Sequence, residues 1–269
     1  MFNAKFWSGA AYFVLALPLF YYSHTVALPV VLALISMRCV YEALHISGFE
    51  EARLLLPAGL VLAGGLPFTV YGPGRLAALL CYVYLLVALL LYLVNYDRLK
   101  LLPALYCMGL TLLLSIGLAV PVFTRRMQDG LWLLILTFAG TWSADTCAQV
   151  CGRLFGRHKL GVGVSPNKTM EGCIGSLCCT AIAYLGLAAA FNAYAGTAFS
   201  LPFMAAAGFL VSLAGQVGDL LASAVKRQFG VKDFSHLIPG HGGMYDRFDS
   251  FVLVAPLVYL LAQLLPLAG

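Results

Sequence analysis

Apolar residues run almost without interruption along this chain, and short clusters of charge, glycine and proline punctuate the runs. Cutting at that punctuation leaves nine apolar segments, with approximate limits 6–22, 26–44, 54–70, 76–95, 101–124, 131–151, 172–192, 201–225 and 248–268. Each crosses or nearly crosses a hydrocarbon layer, which takes about 20 helical residues. Continuous runs exclude an outer-membrane barrel, whose strands alternate apolar and polar positions. The pattern predicts an all-α polytopic membrane protein of about nine transmembrane helices. Neither an internal repeat nor a long linker is visible, so a single membrane domain is expected over 1–269. Within it, 1–124 supplies N-terminal helices and 125–269 supplies catalytic helices and loops.

Composition agrees. Of 269 residues, 62% are hydrophobic and 10% charged, whereas soluble domains carry roughly a quarter charged residues. A soluble fold of this length would lack the polar residues to cover its surface. Lys5 ahead of an apolar stretch imitates a secretory signal, but no small-x-small cleavage site follows cleanly, and an uncleaved first span is expected. The eight cysteines form no CxxC or Cys/His cluster of zinc spacing and read as small buried hydrophobes.

The net charge of +5 matters through its placement. With nine spans, thirteen of the sixteen Lys and Arg residues fall on one side, and only Arg75, Arg125 and Arg126 on the other. Basic short loops stay in the cytoplasm, so the first face is expected there. The two longest loops on that face, 152–171 and 226–247, carry most of the charge of the C-terminal half. Nothing in the pattern suggests a nucleic-acid partner.

Three acids, Asp145, Asp219 and Asp246, interrupt or border the spans. A carboxylate at membrane depth costs several kcal/mol unless paired, solvated or bound to a cation. An ion pair near the interface is the structural alternative for any one of them. Asp219, Ser223, Lys226 and Arg227 recur at i, i+4, i+7 and i+8, one helical face, beside a small-residue stripe of Ala214, Gly218 and Ala222. Pro239, Gly240, Gly242 and Gly243 then break the helix and free backbone N–H groups for an anion. Asp246 and Asp249 follow at i and i+3, where they could hold a divalent cation or cap a helix.

The run Ser223-Ala-Val-Lys226-Arg227, then Lys232-Asp233, then Pro239-x-His241-Gly242-Gly243-x-x-Asp246-Arg247-x-Asp249 resembles the signature of phosphatidate cytidylyltransferases, the CDP-diacylglycerol synthases. A second block agrees in order and spacing: Ser143-Ala-Asp145, Gly152-Arg153-x-Phe155-Gly156-Arg157-His-Lys159, and Ser165-Pro166-Asn167-Lys168-Thr169-x-Glu171-Gly172. The N-terminal spans match only in being apolar. Gln149 departs from the pattern, which commonly has an aromatic there.

The resemblance implies transfer of the cytidylyl group of CTP to phosphatidate, giving CDP-diacylglycerol and pyrophosphate. It implies Mg²⁺, with room for a second cation, a homodimer, and an inner-membrane enzyme whose site faces the cytoplasm. Both substrates are polyanions, so the reaction needs a metal to screen phosphates and cations to offset the departing pyrophosphate. Asp219 and Asp246 are the expected metal ligands, with Asp145 and Asp249 second. Lys168, Lys226, Arg227 and Lys232 are expected on phosphates, assisted by the His241-Gly242-Gly243 backbone. Ser165, Asn167, Thr169 and Glu171 either position the nucleotide or brace their loop, and Asp233, Arg247 and Ser223 complete the substrate-binding set. His241 is placed with the catalytic group, although the attacking phosphate oxygen is already ionised and requires no base. Two alternatives stay open: a CTP-dependent polyprenol or phytol-type lipid kinase, and an ion-coupled transporter using membrane-depth acids.

Overall fold

The structure is a computed structural model that describes residues 18–161, 163–237 and 242–264. Helices dominate it. Among the described residues no strand forms, and the bridge between Lys159 and Thr169 stands by itself. Seven described helices are long and apolar enough to cross a membrane. The first expected span, 6–22, lies mostly outside the described residues, and the last, 248–268, lies partly outside them. The protein is an all-α polytopic integral membrane protein. Its chain divides into two compact units.

The first unit comprises the described residues up to Arg126 together with those of Asp233–Asp246. It contains α1 (Ala27–His45), α2 (Glu50–Gly65), a 3₁₀ turn (Leu66–Tyr71), α3 (Leu76–Val94) and α4 (Leu101–Arg125). Helices α1, α2 and α4 pack on one another around Leu28, Leu32, Val40, Leu55, Leu62, Leu114 and Leu118, all nearly or wholly buried. Gly59 permits the close approach of α2 to α4: a Cβ there would sit 3.1 Å from Thr111 Cγ2. By contrast, α3 buries only Tyr84, Ala88 and Tyr92, a single i, i+4, i+8 stripe, and leaves its other faces to lipid. At the polar end, the Glu51 carboxylate accepts from the Lys100 N–H and ties the start of α2 to the chain entering α4.

The second unit comprises Met127–Lys232 and the described residues from Arg247 onward. Its helices are α5 (Gly130–Phe155), α6 (Met170–Ala195), α7 (Leu201–Gln228) and α9 (Phe251–Leu264), while the short α8 (Tyr245–Phe248) spans the division. Helix α6 packs between α5 and α7. Small residues let backbones approach: a Cβ on Gly140 would lie 2.7 Å from the Tyr184 hydroxyl, and one on Gly208 would lie 2.8 Å from Thr180 O. Hydroxyls join the helices, as Ser176 Oγ donates to Ala144 O and lies 2.8 Å from Ser212 Oγ, and Tyr184 Oη donates to Leu136 O.

The cysteine expectation needs correction. All eight are free, but only Cys39 and Cys107 are buried, and Cys178 is exposed. Helix α6, which carries Cys173, Cys178 and Cys179, buries few of its residues, so apolar sequence there meets lipid as well as protein core.

Candidate functional site

The loop from α5 to α6 is built by its own hydrogen bonds. Leu160 N donates to Lys168 O and Met170 N to His158 O, which folds the chain back on itself. Thr169 caps α6, its hydroxyl accepting from Gly172 N at 3.2 Å, as a threonine at an N-cap does. Glu171, in the first turn, accepts from Arg157 N and His158 N and lies 2.6 Å from His158 Nδ1. A carboxylate there also complements the helix dipole. Thr169 and Glu171 therefore brace the loop. Ser165 O accepts from Lys168 N in the adjoining turn, and Asn167 is exposed.

That bracing delivers Lys168 to α7. Its ammonium Nζ lies 2.5 Å from Asp219 Oδ2, with both side chains part-exposed. Asp145 on α5 and Asp249 before α9 join them. Ser250 Oγ donates to Asp145 Oδ1 at 3.3 Å, and Asp249 Oδ1 accepts from Ser250 N at 2.7 Å. The three carboxylates sense one another's charge, as Asp145 and Asp249 each feel Asp219. Cations offset them: Lys168 and Arg247 act on Asp145, and Lys226 acts on Asp249. The cause of this convergence is Gly218, where a Cβ would fall 2.6 Å from Asp249 O, so α7 lies directly against the start of α9. The expected small-residue stripe thus serves the site.

The residues around Lys226 take different courses. Arg227 is exposed and its Nη1 donates to Val231 O at 3.2 Å, closing the turn after α7. Ser223 is half-buried and Lys232 exposed.

In the first unit, the described parts of 233–246 form a compact loop. Gly242 has φ +78°, a left-handed conformation suited to glycine. A Cβ there would lie 2.9 Å from Asp246 Oδ2 and 3.3 Å from Asp233 Oδ1. Asp246 is buried, and its Oδ2 accepts from Phe234 N and Gly243 N, both at 2.9 Å. Pro239, Gly240 and His241 lie outside the described residues, so the expectation for His241 does too. Asp219 belongs to the second unit and Asp246 to the first.

Among the described residues no group of three or more His, Cys, Asp or Glu side chains is close enough to hold a metal ion by itself. Asp219, Asp145 and Asp249 nevertheless offer hard oxygen donors, and Mg²⁺ typically takes only one or two carboxylates plus water and phosphate oxygens. The donor chemistry fits that ion.

Two groups escape a reading of the sequence. Ser250 donates to Asp145, and its place directly after Asp249 at the end of the signature is the only signal that points to it. Glu42 is an acid within the apolar run 26–44, four residues after Arg38. That position is itself the available signal, because a membrane-depth carboxylate needs a reason. Glu42 is 1% exposed and accepts from Arg38, Ser235 and Tyr245.

Comparison with known proteins places this architecture. Residues 4–265 match the Cytidylyltransferase family. The chain belongs to that family. It is 38% identical over 167 residues to a phosphatidate cytidylyltransferase of Staphylococcus haemolyticus, over 165 residues to one of Staphylococcus saprophyticus, and over 167 residues to one of Staphylococcus aureus. Each match covers 61% of this chain and 61% of the relative, so the chain spans about three-fifths of the length of the relatives it matches.

Proposed function

We propose that this protein transfers the cytidylyl group of CTP to phosphatidate, forming CDP-diacylglycerol and pyrophosphate for phospholipid synthesis. The observation that carries this reading is the convergence of Lys168, Asp219, Asp145, Asp249 and Lys226 in one unit. Alternating acids and amines suit a substrate that brings several phosphates. The names of the matched relatives point the same way.

A phosphate oxygen of phosphatidate attacks the α-phosphorus of CTP, the new P–O bond forms, and the bond to the β-phosphate oxygen breaks. Pyrophosphate carries the electron pair away. Lys168 and Lys226 hold the phosphates and offset the charge that grows on the leaving group. Arg227, Lys232 and Arg247 lie at the edge of the same charged region in sequence and contribute further attraction. Thr169 and Glu171 act through the loop, keeping Lys168 where Asp219 meets it. Mg²⁺ on Asp219 would supply additional screening of the phosphates. The pairing of Asp219 with Asp246 as ligands is drawn from the sequence, where Asp219 lies toward the end of one apolar span and Asp246 precedes the next.

The positive-loop bias supports an inner-membrane location with the site facing the cytoplasm, where CTP is found. The family resemblance supports a homodimer, which light scattering of the detergent-solubilised protein tests. Product analysis separates this reading from the lipid kinase: cytidylyl transfer places CMP on the lipid and releases pyrophosphate, whereas a kinase releases CDP. Solute uptake by sealed proteoliposomes without CTP would favour the transporter.

A further inference from the structure

Two carboxylates hold the described parts of the signature loop, 233–237 and 242–246, and one of them comes from a helix that carries no part of the signature. Glu42 sits on α1, buried to 1% exposure. Its Oε1 accepts from Arg38 Nε at 2.9 Å and from Ser235 Oγ at 2.7 Å, and its Oε2 accepts from Tyr245 N at 3.0 Å. Arg38 is itself steadied over the Tyr41 ring, 5.2 Å from its centroid. The second closure is Asp246, whose Oδ2 accepts from Phe234 N and Gly243 N. The partners interleave: Phe234 and Ser235 on the incoming side, Gly243 and Tyr245 on the outgoing side. The Phe234 and Tyr245 rings pack at 4.3 Å between centroids.

Ordinary core packing does not require this arrangement. An isolated carboxylate inside an apolar helix bundle is expensive, and an apolar residue would pack there without that cost. Glu42 keeps one cationic partner on its own helix and uses its remaining acceptor capacity on a loop about 200 residues away in sequence. The neighbouring glycine agrees, since a Cβ on Gly243 would overlap Glu42 Oε2 and lie 2.9 Å from Ser235 Oγ. Glycine at 243 is therefore demanded by the carboxylate beside it.

We infer that Glu42 is a positioning residue for the reaction, tying Ser235 on the incoming side of the loop to Tyr245 on the outgoing one and so fixing the described residues 242–246, Gly242, Gly243 and Asp246 among them. The role rests on the cytidylyl-transfer reading for its catalytic consequence, but its structural part stands apart from that reading. The N-terminal helices thereby have a part in the signature, because α1 is the support on which the described parts of its loop are set.

The test uses full-length protein in detergent, with Glu42→Gln and Ser235→Ala compared with wild type by amide hydrogen exchange and by steady-state kinetics. Glutamine keeps the size but places an NH₂ where only acceptors fit. The expected result is faster exchange confined to peptides of 233–246, with α2 and α4 unchanged. Turnover per folded molecule should fall roughly tenfold or more, as small displacements of catalytic groups do, and more Mg²⁺ should be needed for half-maximal rate. Ser235→Ala keeps the charge and its other partners, folds if Glu42→Gln does not, and should show the same localised exchange to a smaller degree. Exchange in the loop equal to wild type would overturn the inference. So would exchange raised across all of α1, α2 and α4 with turnover and Mg²⁺ requirement unchanged in the folded fraction. If wild-type protein makes no CDP-diacylglycerol, the activity reading fails, while the exchange experiment still decides whether Glu42 holds the loop.

Discussion

Lys168 and Asp219 form an ion pair that joins the loop before α6 to the signature helix α7. The pair sets a basic residue of one motif block against an acid that lies one helical turn before the other block. Removing Lys168 leaves Asp219 among like charges, confronting Asp145 and Asp249 with one cation fewer, whereas removing Asp219 takes from Lys168 its ion-pair partner. Lys168→Ala and Asp219→Asn should each reduce turnover by about 100-fold or more, a range typical for lost transition-state electrostatics. Because the two touch, the double variant should lose far less than the product of the single losses. Fully multiplicative losses in a double-mutant cycle would show that the pair does not act as a unit.

Lys226 provides a test of specificity against general surface charge. It lies within range of Asp249, whereas Lys100 is exposed in the first unit, where its backbone N–H is bonded to Glu51. Lys226→Ala should impair turnover at least tenfold more than Lys100→Ala, although both remove one positive charge. Equal losses, measured in vesicles of constant lipid composition, would assign the effect to nonspecific attraction of anionic lipid.

Gly218 links packing to chemistry. A methyl group there would meet the Asp249 carbonyl at 2.6 Å and Ser250 Cα at 3.1 Å, both backbone atoms. Backbone cannot rotate away as a side chain can, so Gly218→Ala should push α9 from α7 and shift Asp249 with it. The expected cost is about 1–3 kcal/mol, the usual range for overpacking, together with a loss of activity that exceeds the loss of folded protein. A melting temperature and rate equal to wild type would contradict the close contact.

The helices are legible in the sequence because lipid solvation leaves a coarse signal: seven of the expected spans reappear within a few residues, from Ala27–His45 to Leu201–Gln228. The clustering of charge in 152–171 and 226–247 is legible too, since charge is scarce elsewhere. Partnership is less so. Spacing alone leaves Thr169 and Glu171 open between nucleotide contact and loop bracing, and only the backbone path shows that they brace. The part played by Glu42 is hidden because its partners Ser235 and Tyr245 are remote in sequence. Spacing groups Arg227 with Lys226, yet Arg227 turns to Val231 O, because the helix ends at Gln228 and the chain beyond a helix end needs donors for its free carbonyls.

Asp246 allows the metal and loop roles to be separated. Its Oδ2 accepts two N–H groups, so Asp246→Asn removes the charge and weakens one closure of the loop, at roughly 1–3 kcal/mol for an unsatisfied buried group. Turnover should be lost in protein that remains folded, and added Mg²⁺ should not restore it. A folded Asp246→Asn variant with near-normal rate and Mg²⁺ requirement would remove Asp246 from the metal proposal.

The most direct measurement is product identification with purified protein, phosphatidate, Mg²⁺ and CTP labelled at the α-phosphate. Cytidylyl transfer predicts that the label enters the lipid as CDP-diacylglycerol while one pyrophosphate appears for each lipid converted. Label leaving as CDP beside a newly phosphorylated lipid, or no label in lipid from a protein that folds and binds CTP, would contradict the account.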